Sequence, residues 1–128
     1  WWHLKAEISY KRVHNWIRRA FERCEVITEL SSEVIKAGSG QCFIGAEKSD
    51  LLFRGRKIAG AAQRRNREGL LIQGSIQAKD TGIKRSNWES AMLEELEWKK
   101  WQPVEGFVEG IRILSKQKYE LDIHNQRR

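Results

Sequence analysis

The residues able to do chemistry gather between Cys42 and Ile76, in CFIGAEKSDLLFRGRKIAGAAQRRNREGLLIQGSI. Lys57 opens a stretch to Arg64 made almost entirely of small or polar residues, with Gly60 and three alanines in its middle. A strand of that composition is intrinsically weak, because glycine and alanine give it little to pack. It reads as a strand whose backbone must be approached closely. A floor of small residues with one fixed cation suits an anionic or carbonyl-bearing ligand. Gly60, Ala61 and Ala62 either leave room for that ligand or let a helix pack tightly, and alternation along a strand allows both on opposite faces. Gln63 offers a hydrogen bond to a ligand or a loop. Gln73, Gly74 and Ser75 follow on a later strand, where Gly74 permits close approach or a bulge. Gln73 can hydrogen-bond but cannot carry out proton chemistry. Cys42 has two readings: a small buried hydrophobe beside Phe43, or a nucleophile whose thiolate needs a nearby cation such as Lys57.

The elements that must position these residues form a β-meander. Asp50–Phe53 reads as a strand, Arg54-Gly55-Arg56 as a tight turn, Lys57–Arg64 as the middle strand, Asn66–Gly69 as a second turn and Leu70–Ala78 as the third strand. Upstream, apolar residues at Tyr10, Val13, Trp16, Ile17, Ala20, Phe21 and Cys24 have helical spacing, with Ser9 as the expected cap. Trp1–Ile8 reads as the tail of a strand and Val26-Ile27 as a short one. Downstream, Ser86-Asn87-Trp88-Glu89 matches a capping box before the stripe Trp88, Met92, Leu93 and Leu96. Val104 to Leu114 predicts a further helix, weakened by Gly106 and Gly110. These helices read as cover for the sheet.

Composition bounds the rest. At 128 residues the chain reads as one domain, and 40% apolar content with six tryptophans is enough for a core. No run of about 18 apolar residues and no secretory leader pattern is present, so no membrane is expected as a partner. The net charge of +7 favours anionic partners. Arg54, Arg56, Lys57, Arg64, Arg65 and Arg67 precede the first acid, Glu68, and such a hairpin can grip phosphates. No aromatic residues interleave it to stack bases, which argues against nucleic acid. Cys24 and Cys42 form no Cys-x-x-Cys pattern, so a reduced, cytoplasmic setting is expected. There is no P-loop, nucleophile elbow or paired-histidine metal motif, and His3, His14 and His124 have no ligand-spaced partners.

Asp50-Leu51, then Gly55-Arg56-Lys57-Ile58-Ala59-Gly60-Ala61-Ala62-Gln63-Arg64-Arg65, then Leu70-Leu71-Ile72-Gln73-Gly74-Ser75-Ile76 resembles the lipoate–protein ligase and octanoyltransferase family, which shares its fold with biotin–protein ligases. The carrying pair is a lysine in a G-x-K-[IV]-[SA]-G-x-A strand and an [HQ]-G-[ST]-[IL] strand about a dozen residues on. The resemblance runs from about residue 7 to 128 and corresponds to the later half of that family's catalytic domain. The closing segment includes Lys118-Tyr119 and Asn125 to Arg128. The family's earlier arginine-plus-glycine segment has no match, so residues 1–128 are expected to be a single partial domain of a longer one.

What the resemblance implies is an α+β fold with an antiparallel or mixed sheet flanked by helices, of the class II aminoacyl-tRNA synthetase-like kind. It implies attachment of an octanoyl or lipoyl group to a lysine of a lipoyl carrier domain, the glycine cleavage H protein or a 2-oxoacid dehydrogenase E2. Lys57 is implied as the catalytic cation, with Gly60, Ala61, Gln63, Gln73, Gly74 and Ser75 around the acyl group or adenylate. Two mechanisms follow. One is ATP-dependent ligation through acyl-AMP with Mg²⁺. The other needs no ATP and moves octanoate from an acyl carrier protein through a thioester on Cys42. Cys42-Phe43 resembles the cysteine octanoyltransferase branch. Ile72 and Gln73 stand where ligases commonly carry histidines, so transfer is favoured. A non-catalytic half-domain that binds a partner or an acyl ligand is the rival expectation.

Overall fold

The first helix and the meander close one core. The computed structural model describes residues 1–36, 44–96 and 102–120, in two compact units, Trp1–Glu97 and Trp98–Arg128. The first unit is α+β. Helix α1 (Ala6–Arg23) buries Val13, Ile17, Ala20 and Phe21 at the predicted spacing, and with them Ser9 and His14, which the stripe did not include. It begins a turn before the expected start, and Ser9 is not its cap. The single Ser9 hydroxyl proton is shared between the Ala6 carbonyl and Gln63 Oε1, each 2.9 Å from Oγ, which satisfies a serine inside a helix. Trp1–Ile8 is therefore no strand tail. At the other end Glu25 is left-handed (φ 61°), with Val26 N bonded to Phe21 O and Glu25 N to Glu22 O. That is a Schellman stop made without glycine.

Four antiparallel strands follow in the order β1-β2-β3-β4: Glu29–Leu30, Leu51–Phe53, Arg56–Arg65 and Leu70–Ile76. The first strand lies at Glu29–Leu30 rather than at Val26-Ile27, whose Ile27 is exposed. Arg54 and Gly55 both have positive φ (51° and 74°), which gives the two-residue turn the twist that a tight hairpin needs. At Asn66 the side-chain Oδ1 accepts from the backbone of Glu68 and Gly69, 3.0 Å each. The β2–β3 register slips: Leu52 faces Lys57 but Leu51 faces Ala59. The extra β3 residue is a bulge, and it buries both Ile58 and Ala59.

Helix α2 (Arg85–Leu93) packs on α1, with Trp88 stacked on Phe21 at 6.1 Å. Ser86 does not cap it; Lys84 holds that position without a side-chain bond. The core cluster joins Val13, Ile17, Phe21, Leu51, Ile58 and Trp88, and Cys24 packs against it, as expected of a core cysteine. The second unit carries α3 (Phe107–Leu114), entered through left-handed Gly106 (φ 78°) and continued by a π-helical turn over Ser115–Tyr119. Among the described residues no helix is long and apolar enough to cross a membrane.

Two glycines separate backbone strain from crowding. At Gly55 a Cβ would meet nothing within 4 Å, yet φ is +74°; at Gly69 the space is equally open and φ is not positive. Gly55→Ala is expected to cost about 1–2 kcal/mol, the left-handed penalty alone, and Gly69→Ala to stay within about 0.5 kcal/mol. Urea unfolding of both variants checks the difference.

Candidate functional site

Asp50, at the threshold of β2, is fully buried. Burying a carboxylate is costly unless both oxygens are satisfied, and here they are. Oδ2 takes the Lys57 ammonium at 2.7 Å and the Glu47 N–H at 2.7 Å. Oδ1 accepts the Tyr10 hydroxyl of α1 at 2.5 Å. The Tyr10 oxygen in turn accepts the Ala61 N–H at 3.3 Å, beyond the last β2–β3 pairing. His14, one turn after Tyr10 and also fully buried, places Nε2 3.9 Å from Asp50 Oδ1. Its Nδ1 lies 3.0 Å from the Tyr10 carbonyl, an oxygen that can only accept, so Nδ1 carries the proton.

Gly60 makes this arrangement possible. A Cβ there would lie 2.6 Å from Lys57 Cε, 2.8 Å from Nζ and 3.2 Å from Asp50 Oδ1. The lysine stem lies across the bare glycine to reach the carboxylate, and the bulge lets residues three apart share a face. The space at Gly60 is therefore filled by this protein's own lysine. At Gly74 a Cβ would meet the Gly60 carbonyl at 3.1 Å and Ala61 Cβ at 3.3 Å, so its smallness serves cross-strand packing.

The expected site residues divide between the two faces of β3 and β4. Gly60 pairs with Ser75 and Ala62 with Gln73, which puts Gln73 and Ser75 on the Lys57 face. Ala61 pairs with Gly74 on the α1 face, where both line an apolar cleft of about 480 Å³ with Trp2, Trp16, Ile72 and Met92. Gln63 is engaged by the start of α1: Oε1 accepts from Ser9, and Nε2 donates to the Ala6 carbonyl at 2.8 Å. Cys42 lies outside the described residues. Of the basic run, Arg65 turns inward to the Trp2 and Leu4 carbonyls (2.9 and 2.8 Å), Arg56 pairs with Asp80 (2.9 Å), and Arg54 lies over the Phe53 ring.

Sequence reasoning picked out Lys57 but not Asp50, Tyr10 or His14. The signal for the last two was a polar i, i+4 pair inside the apolar stripe of α1. Burial, and then the bond to Asp50, pushes the Tyr10 hydroxyl pKa far above its ordinary value. Tyr10 thus stays a neutral donor. Burial likewise pushes His14 below its usual 6.5; Lys57 adds to this, while the Tyr10 carbonyl and Asp50 oppose it. Among the described residues no cluster of His, Cys, Asp or Glu could hold a metal ion. Both Asp50 oxygens are already engaged, so these residues supply no protein ligand set for Mg²⁺.

The site is thus a lysine held by a buried aspartate on a bulged, small-residue strand of an antiparallel sheet backed by a helix. The biotin/lipoate A/B protein ligase family matches residues 7–79, and the chain belongs to that family, one of ligases and transferases. The match spans α1 except its first residue, the whole meander and the Tyr10–Asp50–Lys57 cluster. No curated protein and no solved structure matches the chain.

Two outcomes follow. Gly60→Ala is expected to fold while driving the flexible lysine off Asp50. It loses about 2–3 kcal/mol, somewhat less than the roughly 3–5 kcal/mol of deleting one partner of a buried pair. An unchanged urea midpoint would show that the lysine does not need the glycine. For His14, the unfolded chain takes up a proton near pH 6.5 that the folded chain resists. Stability therefore falls as pH drops below about 6.5, by up to ~1.4 kcal/mol per pH unit from this residue. Urea midpoints measured from about pH 7 down to 5 should show a shallower slope in His14→Gln.

Proposed function

We propose that this chain transfers an octanoyl or lipoyl group to a lysine of a lipoyl carrier domain, through a thioester on Cys42. The supporting observation is the Lys57 ammonium, held over Gly60 by a fully buried carboxylate inside the family-matched segment. A fixed positive charge accelerates acyl transfer where a carbonyl oxygen becomes negative, because it needs no reorganisation at that moment.

In the proposed reaction the Cys42 thiolate attacks the thioester carbonyl of an octanoyl-carrier protein. Lys57 faces the developing oxyanion. The carrier's thiolate leaves and takes up a proton, and octanoyl-Cys42 remains. The acceptor lysine's neutral amine then attacks that thioester. An amide forms, the Cys42–acyl bond breaks, and the amine's proton ends on the cysteine sulfur. Neither step consumes ATP. Cys42-Phe43 in the sequence, and Gln73 in place of a titratable histidine, favour this route. The Lys57 cation suits the phosphate of an acyl-adenylate equally well. ATP-dependent ligation with Mg²⁺ is therefore the competing reading, and a binding half-domain without turnover is the third.

Intact-mass spectrometry after incubation with octanoyl-acyl carrier protein, without ATP, separates them. The expected result is a gain of one octanoyl group that is absent in Cys42→Ser and strongly slowed in Lys57→Ala. Acyl-AMP formation only when lipoate, ATP and Mg²⁺ are added establishes the ligase. Neither product, both before and after extension with the upstream sequence, together with retained binding of the octanoyl carrier, favours the binding module.

A further inference from the structure

Lys57 does not choose its own position. Among the described residues three groups bond to the Asp50 carboxylate, and only Lys57 belongs with it to the hairpin that carries the family motif. Glu47 contributes a backbone N–H, which any residue except proline could supply. Tyr10 contributes a side chain from another element, 40 positions away in sequence. We propose that Tyr10 is a positioning residue: its hydroxyl fixes the Asp50 carboxylate in the orientation that holds the Lys57 ammonium over Gly60. Helix α1 thereby sets where the cation stands. As a statement about activity this rests on the acyl-transfer reading; as a statement about Lys57 it does not.

The geometry gives the reason. A carboxylate turns about one bond, and its two oxygens are equivalent until their partners distinguish them. Here Oδ1 is assigned to Tyr10, which leaves Oδ2 to Lys57 and the Glu47 N–H. The Tyr10 oxygen is itself located by the Ala61 N–H, so it is tied to the backbone of β3. The tilted ring contact with His14, 4.3 Å between centroids, restrains the tyrosine from behind. Removing this one oxygen leaves Oδ1 facing His14 Nε2, an unprotonated nitrogen at 3.9 Å that cannot donate. It also takes away the acceptor of the Ala61 N–H. The carboxylate is then anchored through Oδ2 alone and can turn about it, and the lysine follows.

The test compares wild type, Tyr10→Phe and Ser9→Ala. Ser9 ties the same helix to Gln63 without touching Asp50, so its variant loosens helix docking alone. Nitrogen-15 NMR of the lysine ammonium groups, with Lys57 assigned from Lys57→Ala, reads the cation without requiring activity. In Tyr10→Phe the Lys57 ammonium protons should exchange about tenfold faster, the factor matching the net worth of one hydrogen bond. In Ser9→Ala they should stay as in wild type. Octanoyl transfer by Tyr10→Phe should fall about tenfold or more in kcat with KM for the octanoyl carrier little changed, as for a misplaced charge.

A folded Tyr10→Phe with an unchanged Lys57 signal overturns the proposal, as does an equal effect in Ser9→Ala. If Tyr10→Phe does not fold, 3-fluorotyrosine at position 10 keeps the ring and strengthens the donor. The Lys57 resonance must still move, and a fixed resonance overturns the proposal. If wild type itself transfers no acyl group, the acyl-transfer reading fails, and the ammonium exchange still decides the role of Tyr10.

Discussion

The pair between Lys57 and Asp50 is the constraint from which the rest of the site follows. A carboxylate with no solvent exposure holds an ammonium at 2.7 Å. Such pairs seldom add net stability, because the desolvation of both charges offsets their attraction. What this one supplies is location. A lysine has four rotatable bonds and normally samples a wide volume. This one is confined to a single line across a glycine, ending at a carboxylate whose other oxygen is committed elsewhere. Much of the surrounding geometry serves that carboxylate: the Glu47 N–H, the Tyr10 hydroxyl, and the Ala61 N–H that locates the hydroxyl.

The bulge in β3 reconciles two demands on one strand. One face must pack on α1 and the other must carry the lysine. In a regular strand residues 57 and 60 would point to opposite faces. The extra residue at the Leu51/Leu52 register shift brings them to one face and buries Ile58 and Ala59 together. The small residues then have separate reasons. Gly60 clears the path of the lysine stem, Gly74 fits against the Gly60 carbonyl and Ala61, and Ala61 with Gly74 lines the apolar cleft on the far face. A single ligand-binding floor, the simplest reading of the composition, becomes two surfaces.

Local chemistry made much of the chain legible. The meander, its two turns and the helical stripe of α1 follow from alternation, turn residues and 3.6-residue spacing, and all appear near their expected limits. The starts of the helices were less legible. Ser9 and Ser86 have the right residue type for caps, but Ser9 is recruited by Gln63 and α2 starts at Arg85 with no side-chain cap. The role of Gln63 was likewise hidden, since an exposed-looking amide gives no sign that it will meet the first turn of a helix more than fifty residues away.

Taken alone, the sequence determined that an antiparallel hairpin pair would present a lysine on a strand of small residues, and that the chain resembles lipoate–protein ligases and octanoyltransferases. Those features depend on neighbours close in sequence, where turn chemistry and side-chain size suffice. Only the tertiary structure decided what the lysine is held by. Asp50 reads as an ordinary strand-initiating acid, Tyr10 as one apolar position among seven, and His14 as a scattered histidine. Their meeting requires α1 to cross the sheet at one height and the bulge to put Lys57 on the face of Gly60, where it reaches Asp50. Long-range packing sets both, and no local spacing encodes it.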